Sequence, residues 1–221
     1  AVLHLQNEGI VVHLVLEDDS AWTEYDHALY YLEIVARFGY LPARYFNMCE
    51  EHNERYSLAE ALANAATLRS LDPYHHPIGI HNVNAPTAAY LNNASIEMTS
   101  IQGYKEGDAV AAFDAAVNWR QQSEAAGKKL VVSFDEYMNY PMENTPEERT
   151  TARKTAWGAA LGGAIVEAYT SPLESFADYE AFWDDLRHLR NFMEKLPFPQ
   201  MTPDRSPVSK GVCFTLPGYI Y

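Results

Sequence analysis

The chain has 221 residues, 48% of them apolar and 21% charged, a composition that excludes intrinsic disorder and suits a globular protein with a substantial core. Its 16 basic and 30 acidic residues give a formal net charge of −14, which repels phosphate backbones and anionic lipid and so excludes nucleic acid as a partner. No 18-residue apolar run occurs, so membrane insertion is not expected.

The opening stretch, AVLHLQNEGI, lacks the basic start and small-residue cleavage site of a signal peptide, and position 1 is not Met; the chain therefore reads as a fragment or a processed form. From there, short β-branched or aromatic runs alternate with longer segments of helical period, the pattern of βα units around a parallel sheet. Strands are expected near residues 11 to 17 (VVHLVLE), 43 to 49 (ARYFNMC), 78 to 82 (IGIHN), 97 to 102 (EMTSIQ), 129 to 135 (KLVVSFD) and 164 to 169 (AIVEAY).

The helices between them carry their own punctuation. Ser57 and Glu60 form a capping box ahead of Leu58, Leu62, Ala65 and Leu68. Thr145, Pro146 and Glu148 place a cap, a first-turn proline and the box acid before a helix ending at Gly162. Gly39 and Gly127 sit where a left-handed residue after a helix belongs. The last long helix, about 176 to 196, repeats apolar residues at Phe182, Leu186, Leu189, Met193 and Leu196, one stripe for packing on a sheet. Beyond Pro197 the sequence turns proline-rich, and GVCFTLPGYIY reads as one or two short strands with a turn at Pro217-Gly218. Six βα units fall two short of a closed eight-stranded barrel, which leaves an incomplete barrel or an open doubly wound sheet.

The two cysteines, Cys49 and Cys213, build no disulfide framework, and Cys49 reads as a core thiol. Asn93-Ala94-Ser95 is a glycosylation sequon, too short a match to argue secretion.

In a parallel α/β fold the functional groups gather at the carboxyl ends of the strands. Those ends carry Glu17, Asp18 and Asp19; Glu50 and Glu51; His81 and Asn82; Gln102 and Tyr104; Asp135, Glu136 and Tyr137; and Glu167 with Tyr169. Acids on the second and fifth strands supply the two carboxylates that glycoside hydrolysis needs, one to protonate the leaving oxygen and one to attack or activate water. Each acid alone reads equally as a solvated strand end or a helix cap. Metal binding is not expected: His13 and Glu17 would stand about 13 Å apart along a strand, and His75-His76 fits a helix-to-strand turn. No glycine-rich phosphate loop follows a strand, so no nucleotide or other cofactor is expected.

FNMCEEHN (46 to 53), LDPYHHP (71 to 77), IGIHN, TSIQ (99 to 102), VVSFDEY (131 to 137) and WGAALGGAIVEAY (157 to 169), in this order, resemble the clan A type (β/α)8 glycoside hydrolases, and within them the apiosidase-like set. Members of that set read approximately WNLGEEN, LDPYDHP, SLQ, VVSFDE and WGNLMAGGAGVEWY, and carry a C-terminal β domain named for collagen binding. The resemblance implies a (β/α)8 TIM barrel, incomplete in this chain, followed by the start of a β domain. Residues 1–197 would be its C-terminal three quarters, strands three to eight, and residues 198–221 a linker and the first strands of a β-sandwich domain. Further chains or a preceding segment would complete the barrel.

The resemblance also implies catalytic roles for Glu51 as acid/base and Glu136 as nucleophile in a retaining mechanism. Glu17, Asn47, His81, Gln102, Tyr104, Glu167 and Tyr169 would bind or orient a poly- or oligosaccharide substrate. If the strand persists that far, alternation would send Glu50 and Glu51 in opposite directions, with Glu50 in a supporting or capping place. Phe46 for Trp, Met48-Cys49 for Leu-Gly and Ala168 for Trp depart from the family pattern and would weaken sugar stacking. The expected localisation is extracellular, at the cell surface or periplasmic. The alternative function is a non-catalytic carbohydrate-binding or assembly protein on a glycosidase-like barrel.

Overall fold

The computed structural model describes residues 2–17, 25–81, 88–102, 107–137, 144–167, 177–216 and 218–220. A short helix α1 (Val2–Asn7) precedes the repeating pattern β1 (Val12–Val15), α2 (His27–Phe38), β2 (Arg44–Asn47), α3 (Leu58–Leu71), β3 (Ile78–Ile80) and β4 (Met98–Ile101). It continues through α4 (Ala109–Ala125), β5 (Val131–Phe134), α5 (Pro146–Leu161), β6 (Ile165–Val166) and α6 (Glu180–Met193). The chain closes with β7 (Thr202–Pro203), β8 (Phe214–Leu216) and β9 (Tyr219–Ile220).

The first six strands follow one another in the sheet in sequence order, β1-β2-β3-β4-β5-β6, with parallel pairing for β1/β2, β2/β3, β3/β4 and β5/β6. A doubly wound sheet reverses its strand order at a switch point. This one advances in a single direction, so the fold is a (β/α)8 barrel, incomplete in this chain. Among the described residues no helix is long and apolar enough to cross a membrane.

Every sheet strand is shorter than its sequence signal. β2 stops at Asn47 rather than 49 and β5 at Phe134 rather than 135. Backbone hydrogen bonds between neighbouring segments nevertheless continue past these ends, from the Met48 N–H to the Gly79 carbonyl at 3.1 Å and from the Asp135 N–H to the Ile101 carbonyl at 3.0 Å.

The chain divides into two compact units, residues 1–100 with 123–130 and residues 101–122 with 131–221. In the first, the capping box forms as its spacing requires: the Ser57 N–H donates to Glu60 Oε2 at 2.9 Å and the Glu60 N–H to Ser57 Oγ at 3.3 Å. α3 then buries Ala61, Ala65 and Leu68. Its exit is organised by Asp72, whose carboxylate accepts from the Tyr74 N–H at 3.1 Å and the His76 N–H at 2.7 Å and faces His76 Nδ1 at 3.0 Å. His76 is thus a buried turn residue. Gly39 differs from its expected left-handed state: φ is −55°, and its glycine requirement is steric, since a Cβ would come within 2.3 Å of the Val35 carbonyl oxygen.

In the second unit, Thr145 and Glu148 form the other capping box, with Pro146 in the first turn. α5 buries Ala152, Thr155, Ala156 and Gly158 to Leu161, and its small side chains let Val132, Phe134, Tyr137, Tyr179, Phe182 and Leu189 close the core. α6 spans Glu180–Met193, within the expected range of about 176 to 196, and seats its apolar stripe through Phe182 and Leu189. β7, β8 and β9 form a three-stranded antiparallel sheet, where Met201 and Phe214 pack on Phe113 and Leu161.

Gly158 is the tightest position in this core: a Cβ there would lie 2.1 Å from the Ala109 carbonyl oxygen. Gly158→Ala must push α4 and α5 apart, and overpacking of this kind costs about 1–3 kcal/mol. The expected result in urea is a lower midpoint with an unchanged slope.

Candidate functional site

The sequence-selected residues can be placed strand by strand at the carboxyl ends of the sheet. β2 hands over to Met48 and Cys49, both buried, and then to Glu50 and Glu51. Glu51 precedes a single 3-10 turn (His52–Glu54) with φ 41° and ψ 48°, and its carbonyl accepts from the Glu54 N–H at 2.9 Å. β2 ends at Asn47, so the strand does not persist to Glu50 and Glu51 and the condition for alternation between them is not met.

After β5 the backbone repeats this feature at Glu136, with φ 44°. Four described non-glycine residues have positive φ: Glu51, His75, Glu136 and Asn144. Asn and His enter this region comparatively readily, whereas glutamate does so at a cost of roughly 1–2 kcal/mol. Strain of this sort persists where the surroundings impose it, and it concentrates at functional sites.

In the first unit, the Glu50 carboxylate lies against Nδ1 of His81, which follows β3 and is fully buried. The loop after β2 is also tied down by backbone: the Glu50 N–H donates to the Glu17 carbonyl at 2.9 Å and the His52 N–H to the His81 carbonyl at 3.0 Å. His81 is therefore placed to fix its neighbours rather than to reach outward. Asn47, 1% exposed, has neither amide atom hydrogen-bonded among the described residues. A buried amide without partners is costly. Cys49 is a core thiol, as expected, its Sγ 3.1 Å from the Glu50 carbonyl.

Glu17 follows β1 and is buried, at 2% exposure. Oε1 accepts from the Tyr31 hydroxyl and lies 3.1 Å from His27 Nδ1; that nitrogen is also 3.3 Å from the Asn64 amide nitrogen. Burial first, and then Glu17 through a hydrogen bond and its charge, push the Tyr31 phenol well above its ordinary pKa. Burial followed by the Glu17 charge does the same to Tyr25.

In the second unit, Gln102 follows β4 and donates from Nε2 to Glu136 Oε2 at 2.5 Å, orienting one carboxylate oxygen. Asp135, 1% exposed, accepts from the Ser133 hydroxyl at 2.5 Å. Tyr137 is fully buried, and burial, then the charges of Glu167 and Asp135, raise its phenol strongly, so it stays protonated. Glu167 leaves β6 with its N–H donating to the Phe134 carbonyl at 3.0 Å. Asn82, Tyr104, Ala168 and Tyr169 lie outside the described residues.

Two points correct or extend the sequence reading. Phe46, 0% exposed, meets His76 edge-on at 5.6 Å between ring centres and carries the Arg44 guanidinium 4.9 Å over its ring. It is core, so this position offers no sugar-stacking face. Sequence reasoning also passed over His27, Tyr31, Tyr25, Tyr56 and Asn64. The available signal was the i, i+4 spacing of His27 and Tyr31, which puts both on one face of α2.

No family model matches the chain, and no curated protein does. Solved structures do. A candidate glycoside hydrolase from Bacteroides vulgatus is 19% identical with a TM-score of 0.68, over 97% of this chain and 44% of its own. A glycoside hydrolase is 16% identical with a TM-score of 0.68, over 97% and 59%. A glycoside hydrolase family 5 protein from Bacteroides vulgatus is 17% identical with a TM-score of 0.66, over 97% and 57%. At these identities the likeness is one of fold, and this chain spans about half the length of those proteins.

Proposed function

We propose that the protein is a glycoside hydrolase acting on a poly- or oligosaccharide. The observation that carries this reading is the left-handed backbone at both Glu51 and Glu136, the two acids that the family resemblance selects, each at the carboxyl end of a sheet strand. The glycoside hydrolases of like fold add support.

In this reading Glu51 protonates the glycosidic oxygen while Glu136 attacks the anomeric carbon. The C–O bond to the leaving sugar breaks as the bond to Glu136 forms, and water, deprotonated by Glu51, then releases the covalent sugar with net retention. Retention requires the two carboxyl groups to stand about 5–5.5 Å apart; a gap of about 6.5–9.5 Å would give inversion. Gln102 presents the Glu136 carboxylate, and His81 holds Glu50 beside the acid/base. Asn47, Glu17, Glu167, Tyr104 and Tyr169 are the proposed sugar contacts. Residues 198–221 are the proposed start of a β-sandwich domain, the first two barrel units the proposed contribution of other sequence, and the protein is proposed to act outside the cytoplasm.

The test is a panel of neutral oligosaccharides offered to the full-length protein, with the released sugar followed by proton NMR from the first turnovers. Expected is cleavage in which the new reducing end first appears with the configuration of the bond broken. Binding without cleavage across the panel would instead establish a carbohydrate-binding protein on this barrel.

A further inference from the structure

The formal net charge of −14 is not spread evenly over the chain. The segments that join each sheet strand to the helix or turn after it are residues 16–26, 48–57, 81–87, 102–108, 135–145 and 167–179. By sequence they hold 16 acidic residues against two basic ones, Arg55 and Lys105, the latter outside the described residues; all other parts of the chain together hold 14 of each. The whole excess of negative charge therefore belongs to the segments that follow the strands, and the rest of the protein is balanced.

The described residues show the same bias in each unit. In the first, five acids stand in these segments beside Arg55, whose guanidinium lies 5.3 Å over the Tyr56 ring; in the second, five acids stand with no Lys or Arg. Helix capping explains part of this: Asp26 accepts from the Leu29 N–H at 3.0 Å and Asp108 from the Val110 N–H at 2.8 Å. Glu17, Glu50, Asp135 and Glu167 follow strands and start no α-helix, so capping does not account for them. Their charge reaches the surroundings: after burial, Glu167 and Asp135 push the Tyr137 phenol up further.

Charges of one sign gathered at a site sum to a potential that repels ligands of that sign and leaves uncharged ones alone. A glycan with a carboxylate or sulfate on each unit meets that repulsion along its length, whereas one bearing only hydroxyls does not. We propose that the site selects uncharged over polyanionic glycans, with the acids that follow the strands as the filter. The sugar rests on the glycoside hydrolase reading above; the discrimination by charge rests on where the acids lie.

The experiment offers the full-length protein pairs of glycans alike in linkage and length but unlike in charge. These are oligogalacturonates with their methyl esters, sulfated galactan oligomers with their desulfated forms, and carboxymethylated with plain cello-oligosaccharides. Binding is followed by calorimetry and cleavage by reducing-end release, from about 20 to about 300 mM NaCl, over which the Debye length shortens about fourfold. At low salt the uncharged member of a pair is expected to bind at least about tenfold more tightly than the charged one, and at high salt the gap is expected to close to about threefold or less. Glu54→Lys with Asp178→Lys, at two exposed acids of these segments, is expected to narrow the low-salt gap at least about twofold. Glu124→Lys with Glu194→Lys, the same change of net charge at the C-terminal ends of α4 and α6, is expected to leave the gap unchanged. A low-salt gap below about twofold, a preference for the charged member, a gap that salt does not close, or an equal response of the two double variants overturns the filter. Cleavage of charged and uncharged members alike removes the filter and keeps the hydrolase. Discrimination in binding without cleavage of any member does the reverse, and binding of no member removes both.

Discussion

Glu136→Gln is expected to lower turnover by at least about four orders of magnitude while leaving oligosaccharide affinity within a few-fold of wild type. The amide matches the carboxylate in shape and still offers an oxygen to the Gln102 amide 2.5 Å away, so the local packing should survive. What it lacks is nucleophilicity at the anomeric carbon, and that loss falls on the chemical step alone. Single-turnover kinetics and calorimetry on the same preparation separate the two quantities. Residual turnover within tenfold of wild type would remove Glu136 from the nucleophile role. If the wild type shows no turnover either, the non-catalytic carbohydrate-binding alternative stands.

At Glu51, Gln substitution is expected to cost about 10²–10⁴ in rate, because the proton that the leaving oxygen needs no longer comes from a positioned acid. The loss should depend on the substrate. Leaving groups that depart readily as anions need little protonation and should be nearly spared, whereas an unactivated sugar alcohol should show the full effect. A uniform loss across leaving groups would argue for a structural rather than acid/base role.

Glu51 also supports a stability measurement with the opposite sign. Its φ of 41° stores roughly 1–2 kcal/mol that glycine would not incur, offset by about 0.5–1 kcal/mol of extra unfolded-chain entropy. On backbone terms alone, Glu51→Gly should therefore lose activity while stability in urea rises by about 0–1.5 kcal/mol. Marked destabilisation would show that the contacts of the Glu51 side chain outweigh the backbone strain.

The order of strands and helices was legible in the chain because it is written in local terms. Apolar periodicity, the Ser57/Glu60 and Thr145/Glu148 boxes and the Asp72 turn each act within a few residues, so their spacing predicts their structure. The candidate acids could also be found, since functional groups follow strands in any parallel α/β sheet.

Other features were beyond that reach. The steric need for Gly39 comes partly from Tyr74, 35 positions later, and the core placement of Phe46 depends on His76. The left-handed turns at Glu51 and Glu136 run against the preference of glutamate itself, and only surrounding structure can impose them. The pairing of Glu50 with His81 and of Gln102 with Glu136 depends on which strands lie side by side and in what register. So does the collar of Tyr25, Tyr31, Tyr56 and His27 around Glu17, assembled from a strand end, a helix face and a loop. The sequence by itself therefore determined the elements and the kinds of chemistry they carry. The tertiary structure decided which side chains meet, because hydrogen bonds and buried charges are settled by distances between segments that no local pattern encodes.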